Sequence, residues 1–134
     1  MKRSPALLKL SREHHTALSL ALRIEKAADT QAQSAVQAIL PELFRKELEP
    51  HFQEEESSLL PQLAKAGETA MVERTLQEHA DLRWLTVLIA SGDLAALSAF
   101  AKLLRAHVRF EERELFMTAQ RVLPANYLAG NGHK

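Results

Sequence analysis

One spacing occurs twice in this chain, and it constrains the fold more than any other feature. His51 and Glu55 stand four residues apart, and so do His107 and Glu111. In each copy a second glutamate follows at once (Glu56, Glu112), and an apolar pair comes next (Leu59-Leu60, Leu115-Phe116). On a helix, residues four apart are stacked on one face with about 6 Å between Cβ atoms. Each copy therefore sets an imidazole beside a carboxylate. Each also has a partner upstream, Glu13-His14 for the first and Glu78-His79 for the second. Four histidines and two glutamates in this pattern look like the ligand set of a two-metal site inside a helical bundle.

At 134 residues the chain is expected to form one domain, 1–134, large enough to bury a core without covalent staples. Its apolar share is 46% with only 5% aromatics, and Ala and Leu dominate, which favours helix. Lys and Arg number 17, as do Asp and Glu, so no net field attracts a polyanion, and no nucleic-acid partner is expected. With no cysteine, disulfides and thiolate-held zinc or iron–sulfur sites are excluded. The basic opening, Met1 to Arg12, lacks an apolar core of signal-peptide length, because Lys9 and Arg12 interrupt it. No stretch approaches the roughly 20 apolar residues of a membrane span. The expectation is a soluble, cytoplasmic protein without a membrane partner.

Turn chemistry and periodicity predict an all-α fold, an antiparallel up-down-up-down four-helix bundle over about residues 5–123 with a short C-terminal tail, 124–134. Ser4-Pro5 starts the first helix. Leu7, Leu10, His14, Ala17, Leu18, Ala21, Ile24 and Ala28 follow on one face. The polar stretch Asp29–Ser34 is expected to separate it from a second helix ending near Gly67, with Phe44, Leu48, His51, Glu55, Leu59 and Leu63 inward. Pro41 is expected to start that rod, and Pro50 to kink or loosen it just before His51. The third helix opens near Thr69, turns Val72, Leu76, His79, Leu82, Thr86 and Ile89 inward, and stops at Gly92. Asp93 is the expected N-cap of the fourth, which Pro124 ends.

Counting from the turns tests the bundle. His79 lies 13 residues before Gly92 and His107 15 after it, and His51 and His79 lie 16 and 12 residues from Gly67. Across the first turn, near residues 30–33, His14 and His51 have comparable arms, so at about 1.5 Å per residue all four histidines fall in one layer, to within about a helical turn. Glutamate is common here, so one His-x3-Glu pair would carry no weight, and a lone histidine on an apolar face is usually a core residue. Two copies level with two further inward histidines are different. A buried carboxylate and a cluster of imidazoles cost several kcal/mol unless something compensates. Two divalent cations would do so, and nitrogen and oxygen donors without thiolate suit iron, manganese or zinc.

His14, His51-x3-Glu55, His79 and His107-x3-Glu111 resemble the ligand motifs of the hemerythrin-like (HHE cation-binding) family over about residues 5–123. The resemblance implies a non-haem di-iron centre, two iron ions with an oxo or hydroxo bridge. Glu55 and Glu111 would be bridging ligands, and the four histidines terminal ones. Oxygen-carrying members hold a fifth histidine one turn from the third-helix ligand. Here those positions are Thr75 and Arg83. The match is nearer to members that sense or scavenge oxygen or nitric oxide, or handle iron. Reversible oxygen storage is one alternative, and a zinc-bound or metal-free helical interaction module is another. Nothing in the pattern places a separate acid/base group, Tyr or Cys at the cluster, so an enzyme is the weakest reading.

Of the adjacent His14 and His15, the apolar face selects His14 as ligand and leaves His15 on a mixed rim. Glu54, Glu56, Glu112 and Glu114 read as a solvated face, with Glu54 or Glu114 the alternative acceptors for a ligating imidazole. The five phenylalanines read as core or pocket walls. Trp84 reads as a packing or interface residue, and His133, in the tail, as uninvolved.

Overall fold

The structure is a computed structural model and describes residues 2–130. His133 lies outside the described residues. Among those described, all regular structure is helical: α1 (Pro5–Lys26), α2 (Thr30–Leu43), α3 (Glu49–Glu54), α4 (Leu60–Lys65), α5 (Thr69–Ala90), α6 (Ala96–Phe110), α7 (Phe116–Val122) and α8 (Ala125–Leu128). Three π-helical turns, Phe44–Leu48, Glu55–Leu59 and Glu111–Leu115, join α2 to α3, α3 to α4, and α6 to α7. The described residues thus form four long helical stretches and a short fifth. Packing runs in a circuit: α1 against α6, α6 against α5, α5 against α2 and α4, and α2 back against α1. No described helix is long and apolar enough to cross a membrane.

Two turns are made by glycine as expected. Gly67 and Gly92 adopt positive φ (91° and 104°), and each helix end closes with the paired bonds of a Schellman motif. Glu68 N–H donates to Leu63 C=O and Gly67 N–H to Ala64 C=O, with Asp93 to Leu88 and Gly92 to Ile89 as the second set.

Other boundaries differ from expectation for local reasons. The second helix begins at Thr30, because the Asp29 side chain accepts from Ala32 N–H at 2.8 Å and caps it, so most of the polar stretch is helical. Pro41 consequently lies inside α2 rather than at a start. Asp93 caps only the turn ahead of α6, accepting from Ala95 N–H, and the helix begins at Ala96. The expected tail contains α8, held down by buried Tyr127, whose hydroxyl lies 3.0 Å from Ser58 Oγ.

The polar layer divides the interior. One apolar cluster contains Phe44, Phe52, Leu82, Ile89, Phe100 and Leu104. The other contains Leu7, Leu10, Leu59, Leu63, Phe110 and Phe116. His14, Glu55 and His79 fall between the two clusters in the sequence of their own stretches. All five phenylalanines are buried, as expected. On α5, His79, Leu82, Thr86 and Ile89 are buried as expected, but at the N-terminal end Thr75 is buried in place of Leu76, which is exposed.

Candidate metal centre

Glu55 and Glu111 each open a π-helical turn, in which the backbone bond spans five residues (Leu60 N–H to Glu55 C=O, Phe116 N–H to Glu111 C=O). Such turns recur at functional sites. The extra residue explains the apolar pairs that follow. Leu59 with Leu60, and Leu115 with Phe116, are all at most 2% exposed, although neighbours on an α-helix diverge by about 100°. Proline supplied a further signal. Pro50 and Pro61 lie six residues after Phe44 and Glu55, where a disturbed hydrogen-bond ladder accommodates a residue lacking N–H.

His14, His51, Glu55, His79, His107 and Glu111 are all buried, both glutamates completely, and the fold brings all six together. They form two overlapping sets, His14–His51–Glu55–Glu111 and Glu55–His79–His107–Glu111. Within each, one donor atom per residue lies within 4.8 Å of the others. Opposite donors about 2.1 Å from an ion would be about 4.2 Å apart, so the sets need to close only slightly. Glu55 and Glu111 belong to both. His51 Nε2 is 3.2 Å from Glu55, and His107 Nε2 is 3.3 Å from Glu111, as the four-residue spacing requires. His14 Nε2 and His79 Nε2 reach across from other helices to Glu111 (2.7 Å) and Glu55 (3.0 Å).

Four buried atoms at this junction make no hydrogen bond of good geometry in the protein: His51 Nε2 and Glu55 Oε2 stand 3.2 Å apart, and His107 Nε2 and Glu111 Oε2 3.3 Å apart. Two nitrogens and two oxygens without a hydrogen bond at the focus of both sets fit cations, and nitrogen and oxygen donors without thiolate suit divalent metals. His15 is exposed, as its helical position predicted.

Sequence reasoning missed the layer behind. Each histidine donates Nδ1–H to a carboxylate of a neighbouring stretch: His51 to Glu13 (2.8 Å), His79 to Glu56 (2.6 Å), His107 to Glu78 (2.6 Å) and His14 to Glu112 (2.6 Å). Glu56 and Glu112 are therefore acceptors rather than a solvated face. The expected alternatives do not fill that role: Glu54 pairs with Lys9 at 2.6 Å, and Glu114 is exposed. The signal was present as four doublets, Glu13-His14, Glu55-Glu56, Glu78-His79 and Glu111-Glu112. Within each doublet one member points into the site and the other clamps a neighbour's imidazole.

Protonation follows this geometry. Burial opposes charge on His51, but Glu55 and Glu111 outweigh it and push the imidazole up to about 11. Burial likewise opposes charge on His107, and Glu111, Glu78 and Glu55 push it up to about 10. His14 is raised by Glu111 and Glu112 against burial. Burial works against the Glu111 carboxylate too, yet His107, His14 and His51 hold it well below the usual range. Glu112 is held to about 2, burial being outweighed by His14, Arg3 and Ser11. Phe rings wall the centre: Phe52 stacks on His79 at 3.9 Å between centroids, and Phe116 on His14 at 5.4 Å.

A buried pocket of imidazoles and carboxylates in an all-helical frame defines a metal-binding helical protein. The chain belongs to the hemerythrin HHE cation-binding domain family, whose model matches residues 7–119. No curated protein and no solved structure matches it.

Proposed function

We propose that this chain is a non-haem di-iron protein that senses, scavenges or handles oxygen, nitric oxide or iron in the cytoplasm. In this reading the four long stretches form an up-down-up-down bundle within one domain, residues 1–134. His14 and His51 hold one ion, His79 and His107 the other, and Glu55 and Glu111 are shared. The overlap of the two donor sets on these carboxylates carries the proposal. Two irons would supply ferrous–ferric redox chemistry and open coordination positions. The chain's own contribution is to aim Nε2 lone pairs inward, keep two carboxylates at the focus, and exclude bulk water behind Phe52 and Phe116. Metal analysis and an optical spectrum of protein purified without added metal test it. About two irons with near-ultraviolet charge-transfer absorption support it. Stoichiometric zinc without colour supports a helical interaction module, and manganese would keep the site but change its chemistry.

His14→Ala is expected to deplete at least one metal, while His15→Ala leaves the metal-to-protein ratio unchanged. The reverse ordering would move the ligand role to His15.

Thr75 and Arg83 argue against reversible oxygen storage. Thr75 turns its hydroxyl back to Met71 C=O at 2.8 Å, and Arg83 is engaged by Glu49 and Glu56. Neither supplies a fifth imidazole. Reduced, iron-loaded protein is therefore expected to oxidise quickly and irreversibly when oxygen is admitted. A long-lived colour that bleaches under vacuum would restore storage as the function.

A further inference from the structure

The four carboxylates that clamp the histidines are themselves each held by a cation. Arg3 Nη2 lies 2.8 Å from Glu112, Lys9 Nζ 3.1 Å from Glu13, Arg74 Nε 3.0 Å from Glu78, and Arg83 Nη1 3.0 Å from Glu56. Four chains of cation, carboxylate and imidazole result, one per histidine. The carboxylate-to-imidazole links also close on themselves. Glu13 of α1 holds His51 of α3, and Glu56 of the following π turn holds His79 of α5. Glu78 of α5 holds His107 of α6, and Glu112 of the last π turn returns to His14 of α1. Every long stretch thus orients the imidazole of the next.

We propose that Arg3, Lys9, Arg74 and Arg83 are positioning residues for the metal centre, acting through this closed ring of carboxylates. The argument is geometric. An imidazole whose Nδ1–H is bound to a carboxylate presents Nε2 as its lone pair, and the ring's plane is set by that bond. A carboxylate on a flexible glutamate stem fixes the plane only if its own second contact fixes it. The cations supply that contact and offset the carboxylate's charge, leaving Glu55 and Glu111 as the unbalanced negative charges facing the ions.

The four contacts are unequal. Arg3 is 14% exposed; it also contacts Met117 Sδ and lies 5.5 Å from the Phe116 ring, which stacks on His14. Arg83 is 34% exposed and is gripped by Glu49 and Glu56 together. Arg74 is 48% exposed and lies over Phe110 at 3.9 Å. Lys9 is 66% exposed and shares itself with Glu54. Exposed pairs contribute little, so the influence on the site should follow burial.

The proposal rests on the two-ion reading, and the test separates the two. Zinc-loaded wild type is titrated against a chelator and its histidine tautomers are read by nitrogen NMR. A wild type that takes up no zinc, manganese or iron overturns the two-ion reading itself. In that event slow-exchanging Nδ1–H signals of the metal-free protein still report the clamps, and their loss in the arginine variants supports the ring. Arg3→Met and Arg83→Met are expected to weaken zinc binding about tenfold, the lower end for residues behind metal ligands, and to disturb the His14 and His79 signals respectively. Lys9→Met should stay within about twofold. Arg83→Lys, which keeps the charge but not the fork that holds both carboxylates, should recover part of the loss. In a Glu56→Gln background, Arg83→Met should have no further effect on affinity. Should Arg83→Met not fold, Arg3→Met carries the same test, since Arg3 precedes the first helix. Lower thermal stability with unchanged affinity and unchanged histidine signals would make these ordinary ion pairs and overturn the proposal, as would additive losses in the Arg83–Glu56 cycle.

Discussion

Glu111→Ala is expected to remove both metal ions, whereas His107→Ala should remove or weaken only one. The difference follows from membership of the two donor sets: Glu111 belongs to both, His107 to one. Ions that bind only the folded state stabilise it by about 4 kcal/mol each when present at a thousand times their dissociation constant. For a domain of this size that is about 10–20 °C in midpoint per ion. Metal-to-protein ratios should therefore fall from about two toward zero for Glu111→Ala and toward one for His107→Ala, with melting points in the same order. Glu111→Gln, which keeps the volume but not the charge, should behave like Glu111→Ala. An unchanged ratio in either Glu111 variant would exclude that carboxylate from the site.

Metal-stripped and metal-loaded protein are expected to diverge in stability as pH rises. In stripped protein, His51 and His107 titrate at about 11 and 10, above their ordinary value of 6.5. A raised basic pKa adds stability that is complete below the unfolded value and lost as pH rises through the folded one. Glu111 and Glu112 titrate below the ordinary 4.5, so their contribution is complete above that value and lost on acidification. Stripped protein should thus be most stable near pH 5–6 and weaken progressively toward pH 10. Metal binding requires neutral imidazoles, so protons compete with the ions and the metal's contribution grows as pH rises. Melting points with and without chelator, measured from pH 5 to 9, should diverge with increasing pH. Parallel curves would mean that the histidines do not exchange protons for metal.

The doublets show how much of this was legible in the chain. Periodicity of 3.6 placed His14, His51, Glu55, His79, His107 and Glu111 on inward faces, and distances from Gly67 and Gly92 put His51, His79 and His107 level. Both inferences are local: they need only the helix rise and a glycine that can adopt positive φ. The π turns were recorded only indirectly, in apolar pairs and in the placing of Pro50 and Pro61. An α-helical wheel turns Leu60 and Phe116 partly away from the interior, and the extra residue in each π turn returns them to it.

What the sequence by itself determined was the helical class and the identity of the inward imidazoles and carboxylates, because a repeated four-residue spacing has one local meaning. Tertiary structure alone decided that Glu56 and Glu112, not Glu54 and Glu114, clamp the imidazoles. It alone decided that Thr75 rather than Leu76 faces the interior, and that Tyr127 docks the end of the chain against Ser58. Each of these depends on the rotation of one helix relative to another. That rotation is set by packing between segments as far apart as Arg3 and Glu112, which no local period records.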